Sequence, residues 1–118
     1  MDNVHEISLM LDFYGQLLTD RQYEIMDLHY NNDYSLGEIS EQLSISRQGV
    51  FDNVKRGRHA LYEMEEKLGL VKKFSQQKIK AKEILSYIKK IGKSDFSEED
   101  AVNLEKVEKG IIDIINNY

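Results

Sequence analysis

The sequence predicts an all-α fold, and three observations support this prediction. The 118 residues include no proline, the residue that interrupts helices most strongly. Leu, Ile, Glu, Lys and Gln, which favour helices, are frequent. Apolar residues recur at intervals of three and four, as on one face of a helix. A chain of this length forms one domain, or one small domain with an appendage, and has no room for a large enclosed catalytic cavity.

The first predicted helix leads into a second through a capping signal. Its apolar face is formed by Val4, Ile7, Leu11, Tyr14 and Leu18. The segment from Thr19 to Gln22 fits a capping box, in which the Thr hydroxyl accepts from a free backbone N–H and Gln22 reaches back to the cap. The second helix is predicted to stop at 31–33, Asn-Asn-Asp, because these side chains compete for backbone hydrogen bonds.

A short third helix is predicted over 36–43. Ser35 is followed three residues later by Glu38, which repeats the capping-box pattern. Tyr34 and Ile39 flank this pattern with the spacing of a hydrophobic staple.

A long fourth helix is predicted to begin after Ser46. The capping signal is weaker here, because Gly49 occupies the third helical position and cannot complete the box. The helix is predicted to run to Leu68 and to end at Gly69, where glycine can adopt the left-handed conformation. Its apolar positions, which predict a partner helix for its second half, are Val50, Val54, Leu61 and Leu68.

The third and fourth helices have the spacing of a helix-turn-helix. A three-residue turn joins them, and Ser40 is small enough for the two helices to approach closely. The spacing alone leaves open an ordinary helical hairpin.

Two sequence segments carry a resemblance to known families. The run LTDRQYEIMDLHY through YSLGEISEQLSISRQGVFDNVKRGRHAL resembles region 4 of the sigma factors. With the preceding DFYGQLLT, it is more similar to the YlxM family of small bacterial proteins, over residues 7–74. The resemblance implies a sigma region-4-like helix-turn-helix with an added C-terminal helical element. It also implies a non-enzymatic accessory or regulatory protein of the signal recognition particle pathway, which contacts the particle's GTPases or its RNA.

The resemblance also suggests which residues of the fourth helix would face a ligand. Ser46 would cap the helix and donate to a phosphate, while Arg47 and Gln48 would stand at the groove-facing end. Arg can bond two acceptors of guanine, and Gln can pair with both edge groups of adenine. Lys55 and Arg56 would contact the phosphate backbone.

Phe51 and Asp52 depart from the pattern of a DNA reader. An aspartate on the next outward turn repels phosphates and suits only an exposed cytosine amine. An exposed phenylalanine fits either a thymine methyl or an anchor for a protein contact. We therefore include both residues in the predicted binding site and leave the ligand open between DNA, RNA and protein.

The charge distribution weakens the DNA interpretation. Residues 1–70, the predicted helix-turn-helix domain, hold six basic residues against thirteen acidic ones, a net charge of −7. Residues 47–58 carry four bases against one acid, a local charge of +3. Domains that bind duplex DNA through its phosphates are normally basic. A sequence-specific transcription regulator is therefore the alternative function, and an accessory protein of the particle is the first.

Residues 71–118 are predicted to be a lysine-rich helical extension. One apolar stripe is expected from Ile79, Ile84, Leu85, Ile88 and Ile91, with lysines on the other side. The predicted basic patch consists of Lys72, Lys73, Lys78, Lys80, Lys82, Lys89 and Lys90, and Lys93 follows it. These lysines suit either a solvated helix face or a cationic surface for RNA, for a membrane-bound partner or for the acidic domain of a second subunit.

A last helix is predicted to begin at Ser97, followed by three acids that suit the positive end of a helix. Its strongly apolar end must pack against the same chain or another copy. The sequence leaves a homodimer and an intramolecular core as alternatives.

Catalytic, metal and cofactor sites are not expected. His5, His29 and His59 lack ligand spacing, no glycine-rich phosphate loop is present, and the chain has no cysteine. No apolar run approaches the ~20 residues of a membrane span. The N-terminus lacks the basic start of a signal peptide. We therefore expect a cytoplasmic protein that does not insert into membranes.

Overall fold

The computed structural model describes residues 4–92 and 94–117, and that part of the chain contains six α-helices and no strand. Their bounds are α1 Val4–Tyr14, α2 Asp20–Tyr30, α3 Leu36–Leu43, α4 Arg47–Leu68, α5 Leu70–Lys89 and α6 Glu98–Asn116. A short 3-10 turn, Gly15–Leu17, follows α1. The all-α prediction is confirmed. Lys93 lies outside the described residues.

The chain divides into two compact units, Met1–Val71 and Lys72–Tyr118. We refer to them as the N-terminal unit and the C-terminal unit. The division lies one residue beyond the predicted boundary between 70 and 71. The assignment of residues 1–70 as the helix-turn-helix domain and of residues 71–118 as its helical extension stays a prediction.

The core of the N-terminal unit lies between α1, α2, α3 and α4. Its buried residues are Ile7, Met10, Leu11, Tyr14, Leu18, Ile25, Met26, Ile39, Val50, Val54, Leu61 and Val71. Burying a side chain of this size contributes about 1.5–3 kcal/mol relative to leaving it exposed. This core therefore provides the main stabilisation of the helix-turn-helix.

Two predictions about apolar faces are wrong. Val4 was expected on the covered face of the first helix, but it is 58% exposed because the helix begins there. Leu68 was expected to meet a partner helix, but it is 57% exposed in the last turn of α4.

The helix starts follow the predicted caps with one difference. Thr19 and Ser46 each accept a hydrogen bond from the backbone N–H three residues on, and Ser35 forms the complete capping box with Glu38. At Thr19 only the first half of the predicted box is present, since no return bond from Gln22 accompanies it. Gly69 ends α4 with φ of 62°, as predicted.

Gly57 allows α2 and α4 to lie close together. A Cβ atom at this position would stand 2.8 Å from Sδ and 2.9 Å from Cγ of the buried Met26. Glycine in a helix interior costs about 1 kcal/mol relative to alanine. At Gly57 this loss of helix propensity is the consequence of the close contact between α2 and α4, which leaves no room for a Cβ atom.

A hydrogen-bond network joins α1, the end of α4 and the first turn of α5. The buried Tyr14 hydroxyl donates to Oε1 of Glu65 over 2.6 Å and accepts from the N–H of Leu70 over 3.1 Å. The same Glu65 oxygen accepts from the N–H of Val71 over 3.0 Å. These are two of the N–H groups that a helix start leaves without intrahelical partners, so Tyr14 and Glu65 together cap α5.

In the C-terminal unit, α5 does not form the predicted stripe. Ala81 and Ile88 are buried, but Ile79 is 66% exposed and Ile91 45% exposed. The less exposed positions recur in steps of three and four as Phe74, Lys78, Ala81, Leu85 and Ile88. The prediction grouped apolar residues that lie on different sides of the helix, and it included Ile91, which lies beyond the helix end at Lys89.

Candidate protein and nucleic-acid interface

The turn between α3 and α4 is held by Ser40. Its hydroxyl donates to the carbonyl of Ile45 over 2.5 Å, and its own carbonyl accepts from the Ile45 N–H over 3.2 Å. Ser44 reverses the chain in the left-handed region, with φ of 55°. The sequence indicated only that Ser40 is small enough for a close helix approach. Its hydrogen bond also sets the position of α4 relative to α3.

Ser46 begins α4 as a cap. Its Oγ accepts from the N–H of Gly49 over 2.9 Å, which confirms the predicted cap. A hydroxyl that accepts at a helix start keeps its proton for donation. The predicted phosphate contact of Ser46 stays a prediction.

Arg47 lies back against α3. A Cβ atom on Gly37 would stand 2.8 Å from Nη2 of Arg47, so the guanidinium occupies the space above this glycine. The side chain is exposed and can turn outward. A cation in the first turn of a helix is unfavourable, by about 0.3–1 kcal/mol. Arg47 therefore contributes a positive charge at a place where it does not help the helix.

Gln48 and Asp52 bond to each other along the outer surface of α4. The Nε2 group of Gln48 donates to Oδ1 of Asp52 over 3.0 Å. Reading adenine uses both groups of the Gln amide, so Gln48 would have to leave this bond to read a base. This pair was not predicted, although its spacing of four residues on a helix was a sufficient signal.

Phe51, Lys55 and Arg56 complete the outer surface of α4. Phe51 is 45% exposed, and both basic side chains are exposed. Phe51 lies four residues before Lys55 and three after Gln48, so the three share one side of the helix. We call Arg47, Gln48, Phe51, Asp52, Lys55 and Arg56 the α4 surface.

The lysines of α5 do not form a single face. Within α5, Lys78 is half-buried and the exposed lysines are Lys72, Lys73, Lys80, Lys82 and Lys89; Lys90 is exposed just after the helix. Lys78 lies in the less exposed row of the helix, while Lys73 and Lys80 lie on another side. The predicted separation of an apolar side from a lysine side is therefore wrong.

The described part of the chain holds neither a metal-binding cluster nor a helix that could span a membrane. Within 4–92 and 94–117, no group of three or more His, Asp or Glu side chains is placed to hold a metal ion. In the same part of the chain, no helix combines the length and apolar character needed to cross a membrane.

Comparison with known proteins shows the family. Residues 1–103 match the family model UPF0122, described as "Putative helix-turn-helix protein, YlxM / p13 like". A UPF0122 protein of Acetivibrio thermocellus is 63% identical over 117 residues, which are 99% of this chain and all of the relative. One from Halalkalibacterium halodurans is 42% identical over 109 residues, 92% of this chain and 96% of the relative.

A third UPF0122 protein, from Caldanaerobacter subterraneus, is 58% identical over 78 residues, covering 66% of this chain and 67% of the relative. These matches confirm the resemblance to the YlxM family. The chain belongs to the UPF0122 family of YlxM/p13-like helix-turn-helix proteins.

Proposed function

We propose that the protein is a non-enzymatic accessory or regulatory protein of the signal recognition particle pathway, and that the α4 surface binds a protein of the particle, one of its GTPases. The observation that carries this proposal is the exposed Phe51 beside the Gln48–Asp52 pair. The pathway itself comes from the resemblance to the YlxM family.

Phe51 has the properties of an interface anchor. Aromatic side chains and arginine are enriched among the residues that dominate binding energy, and they act best when neighbouring contacts exclude water. Phe51 is 45% exposed and has Arg47 one turn before it and Lys55 one turn after it. A protein surface with an apolar pocket and acidic groups would match this arrangement.

The net charge supports a protein ligand over a nucleic acid. The −7 charge of residues 1–70 repels phosphates, whereas nucleic-acid affinity depends on releasing counterions from them. The carboxylate of Asp52 lies within the α4 surface and adds to this repulsion.

The test is direct binding of the full chain to each purified particle GTPase and, separately, to the particle RNA. Phe51→Ala is expected to weaken the protein complex at least ~30-fold, the equivalent of a 2 kcal/mol hot spot. Leu17→Ala is the matched control, since Leu17 is an exposed apolar residue outside the α4 surface. An RNA complex that is insensitive to Phe51 would replace the protein with RNA as ligand. The absence of any complex with the GTPases and the RNA would refute the proposal.

Sequence-specific DNA binding is the second candidate, favoured by the exposed Arg47, Lys55 and Arg56 on a recognition-type helix. In that case Arg47→Ala and Gln48→Ala remove discrimination among duplexes. Lys55→Ala and Arg56→Ala weaken all duplexes alike, and each lowers the salt slope by about 1. A titration at low salt that shows no preference among duplexes would exclude this function.

A further inference from the structure

The C-terminal unit leaves large apolar side chains exposed on both of its helices. Among the described residues of α5 beyond Val71, only Ala81 and Ile88 are buried, and α6 has no buried residue. A unit of this size rarely builds a sufficient core by itself, and small folds often gain stability by association.

Each helix of the unit has one less exposed stripe. On α5 the stripe is Phe74, Lys78, Ala81, Leu85 and Ile88. On α6 it is Ala101, Leu104, Glu108, Ile111 and Ile115. Both stripes alternate steps of three and four residues, the spacing of helices that pack side by side.

A second row of residues runs beside each stripe and is open to solvent. On α5, Ile84 and Tyr87 are 43% and 60% exposed. On α6, Val107 and Ile114 are 49% and 48% exposed, and a Cβ atom at Gly110 between them would meet nothing within 4 Å. We call these five residues the outer seam. Apolar residues around an unobstructed glycine suit close approach of another helix.

On both α5 and α6, the seam residues are displaced in the same direction from the less exposed stripe. Each seam residue stands one position before a residue of the less exposed stripe, a rotation of about 100°. Consider α5 and α6 packed antiparallel with their less exposed stripes facing each other. Because the seam residues of each helix precede the stripe by one position, the seam residues of both helices then lie on the same side of the pair. The seam residues would then form a single apolar face.

The helices of the unit carry opposite charges. Residues 70–89 of α5 hold six lysines against Glu83, a net charge of +5. Residues 98–116 of α6 hold six acids against two lysines, a net charge of −4. A second copy has the same apolar face, again flanked by a positive α5 and a negative α6. The charges of the two copies are therefore complementary when α5 of one copy meets α6 of the other. The alternative two-fold pairing would place α5 against α5, which like charges oppose.

We propose that two copies of the chain associate through the outer seam, with α5 of each copy packed against α6 of the other in a two-fold arrangement of four helices. The seam takes a second copy of this chain as its partner. This dimer does not depend on the ligand of the α4 surface.

Sedimentation equilibrium of the full chain tests the dimer. Val107→Lys places a cation in the apolar seam opposite the lysine-rich α5 of the partner, and it is expected to raise the dimer dissociation constant at least ~100-fold, because a two-fold interface contains the change twice. Val102→Lys is the matched control: Val102 has the same 49% exposure on the same helix but lies away from the seam. This variant is expected to dimerise like the wild type.

Several outcomes would overturn the proposal. A wild-type chain that sediments as a monomer at ~100 µM, where a dimer with a Kd of that order is substantially assembled, has no such interface. Equal behaviour of the two lysine variants would show that the seam is not the contact. Assemblies that grow beyond two copies would show that the contact is not two-fold.

Crosslinking tests which helices meet. The chain has no native cysteine, so Ile84→Cys and Val107→Cys can be made as separate single variants and mixed under mild oxidation. Contact of α5 with α6 of the other copy predicts disulfides between the two variants in excess of random pairing. A predominance of disulfides within either variant alone would overturn the proposed arrangement.

Discussion

The two units differ in what holds their helices in place. In the N-terminal unit the largest core side chains, such as Ile25 and Leu61, have no exposed surface, and side-chain hydrogen bonds join positions far apart in the sequence. In the C-terminal unit α6 has no buried residue, and several large apolar side chains face solvent. Both units consist of helices with apolar repeats.

This difference shows that helical periodicity and core formation are separate properties. The N-terminal unit surrounds its core with four helices. The C-terminal unit has apolar rows on more than one side of each helix, and its two helices cannot cover all of them. The first unit provides a rigid base for the α4 surface. The second presents apolar area for a contact.

The comparison predicts the largest difference for core truncations. Leu61→Ala, at a position with no exposed surface, is expected to lower the free energy of unfolding by about 2–5 kcal/mol through lost burial and the cavity that remains. Ile79→Ala, at a position that is 66% exposed in the C-terminal unit, is expected to change it by less than about 0.5 kcal/mol. Urea unfolding followed by circular dichroism measures both. Similar losses would contradict the contrast between the units.

The cap of α5 gives the next largest effect. Tyr14→Phe removes the donor to Glu65 and the acceptor for Leu70, and it is expected to cost about 1.5–3 kcal/mol, the range for a hydrogen bond to a charged group. Burial, followed by the hydrogen bond to Glu65, raises the pKa of Tyr14 above its usual 10.0.

The same variant tests the pH dependence. With a raised pKa, the folded state favours the neutral phenol, so its contribution is complete below about pH 10 and is lost as the pH rises through the folded value. The stability difference between wild type and Tyr14→Phe should therefore shrink in alkaline solution. A difference that stays constant there would show that the hydroxyl contributes no titrating interaction.

Two helix glycines are expected to respond in opposite directions to alanine. Gly57→Ala places a methyl group against the buried Met26. Overpacking lowers the free energy of unfolding by about 1–3 kcal/mol, whereas the better helix propensity of alanine raises it by about 1 kcal/mol. We expect a net loss of about 1 kcal/mol. Gly110→Ala meets open space and should gain about 1 kcal/mol. It is measured in the Val107→Lys background, which removes the proposed dimer. Thermal unfolding that moves in the same direction for both would contradict the packing at Gly57.

The smallest effect concerns the capping box of α3. Bonds from the backbone N–H and then the hydroxyl of Ser35 lower the pKa of Glu38 below its usual 4.5. The Glu38 carboxylate therefore stabilises the fold above about pH 4.5, and this contribution is lost as the pH falls through the folded value. Unfolding between neutral and acidic pH should show the advantage of wild type over Glu38→Gln disappearing in acid. Ser35→Ala removes only the hydroxyl and keeps the backbone N–H that donates to Glu38, so it should retain most of the pH dependence of the wild type.

Local signals allowed much of the fold to be predicted. Helix starts and stops depend on residues within four positions of each other, so they can be read from the sequence. Examples are the caps at Ser35 and Ser46 and the helix end at Gly69. The Gln48–Asp52 bond also joins residues four positions apart, so their spacing on a helix was enough to predict it. The remaining features depend on distant residues. Tyr14 and Glu65 are 51 positions apart, and nothing in their local pattern connects them.

In the candidate site too, features within one helix were predicted and contacts between helices were not. The residues of the site were predicted together from the resemblance to the sigma-factor and YlxM families, and their recurrence at three and four on one helix agrees with a shared side. The sequence did not indicate that Arg47 lies over Gly37 of the preceding helix. Nor did it indicate that Ser40 fixes the turn through the Ile45 carbonyl. Both contacts require the two helices to be already packed.

Local sequence was enough to predict that the chain is helical, where most of its helices begin and end, and which residues share the outer side of α4. These properties follow from hydrogen bonds and side-chain spacing within one or two helical turns. Which apolar repeats are buried could not be predicted without the packing of the helices. Burial depends on how many helices surround a side chain, and four surround the core that includes Leu61. In the two-helix C-terminal unit, Ile84 and Val107 stay exposed despite an equally regular pattern.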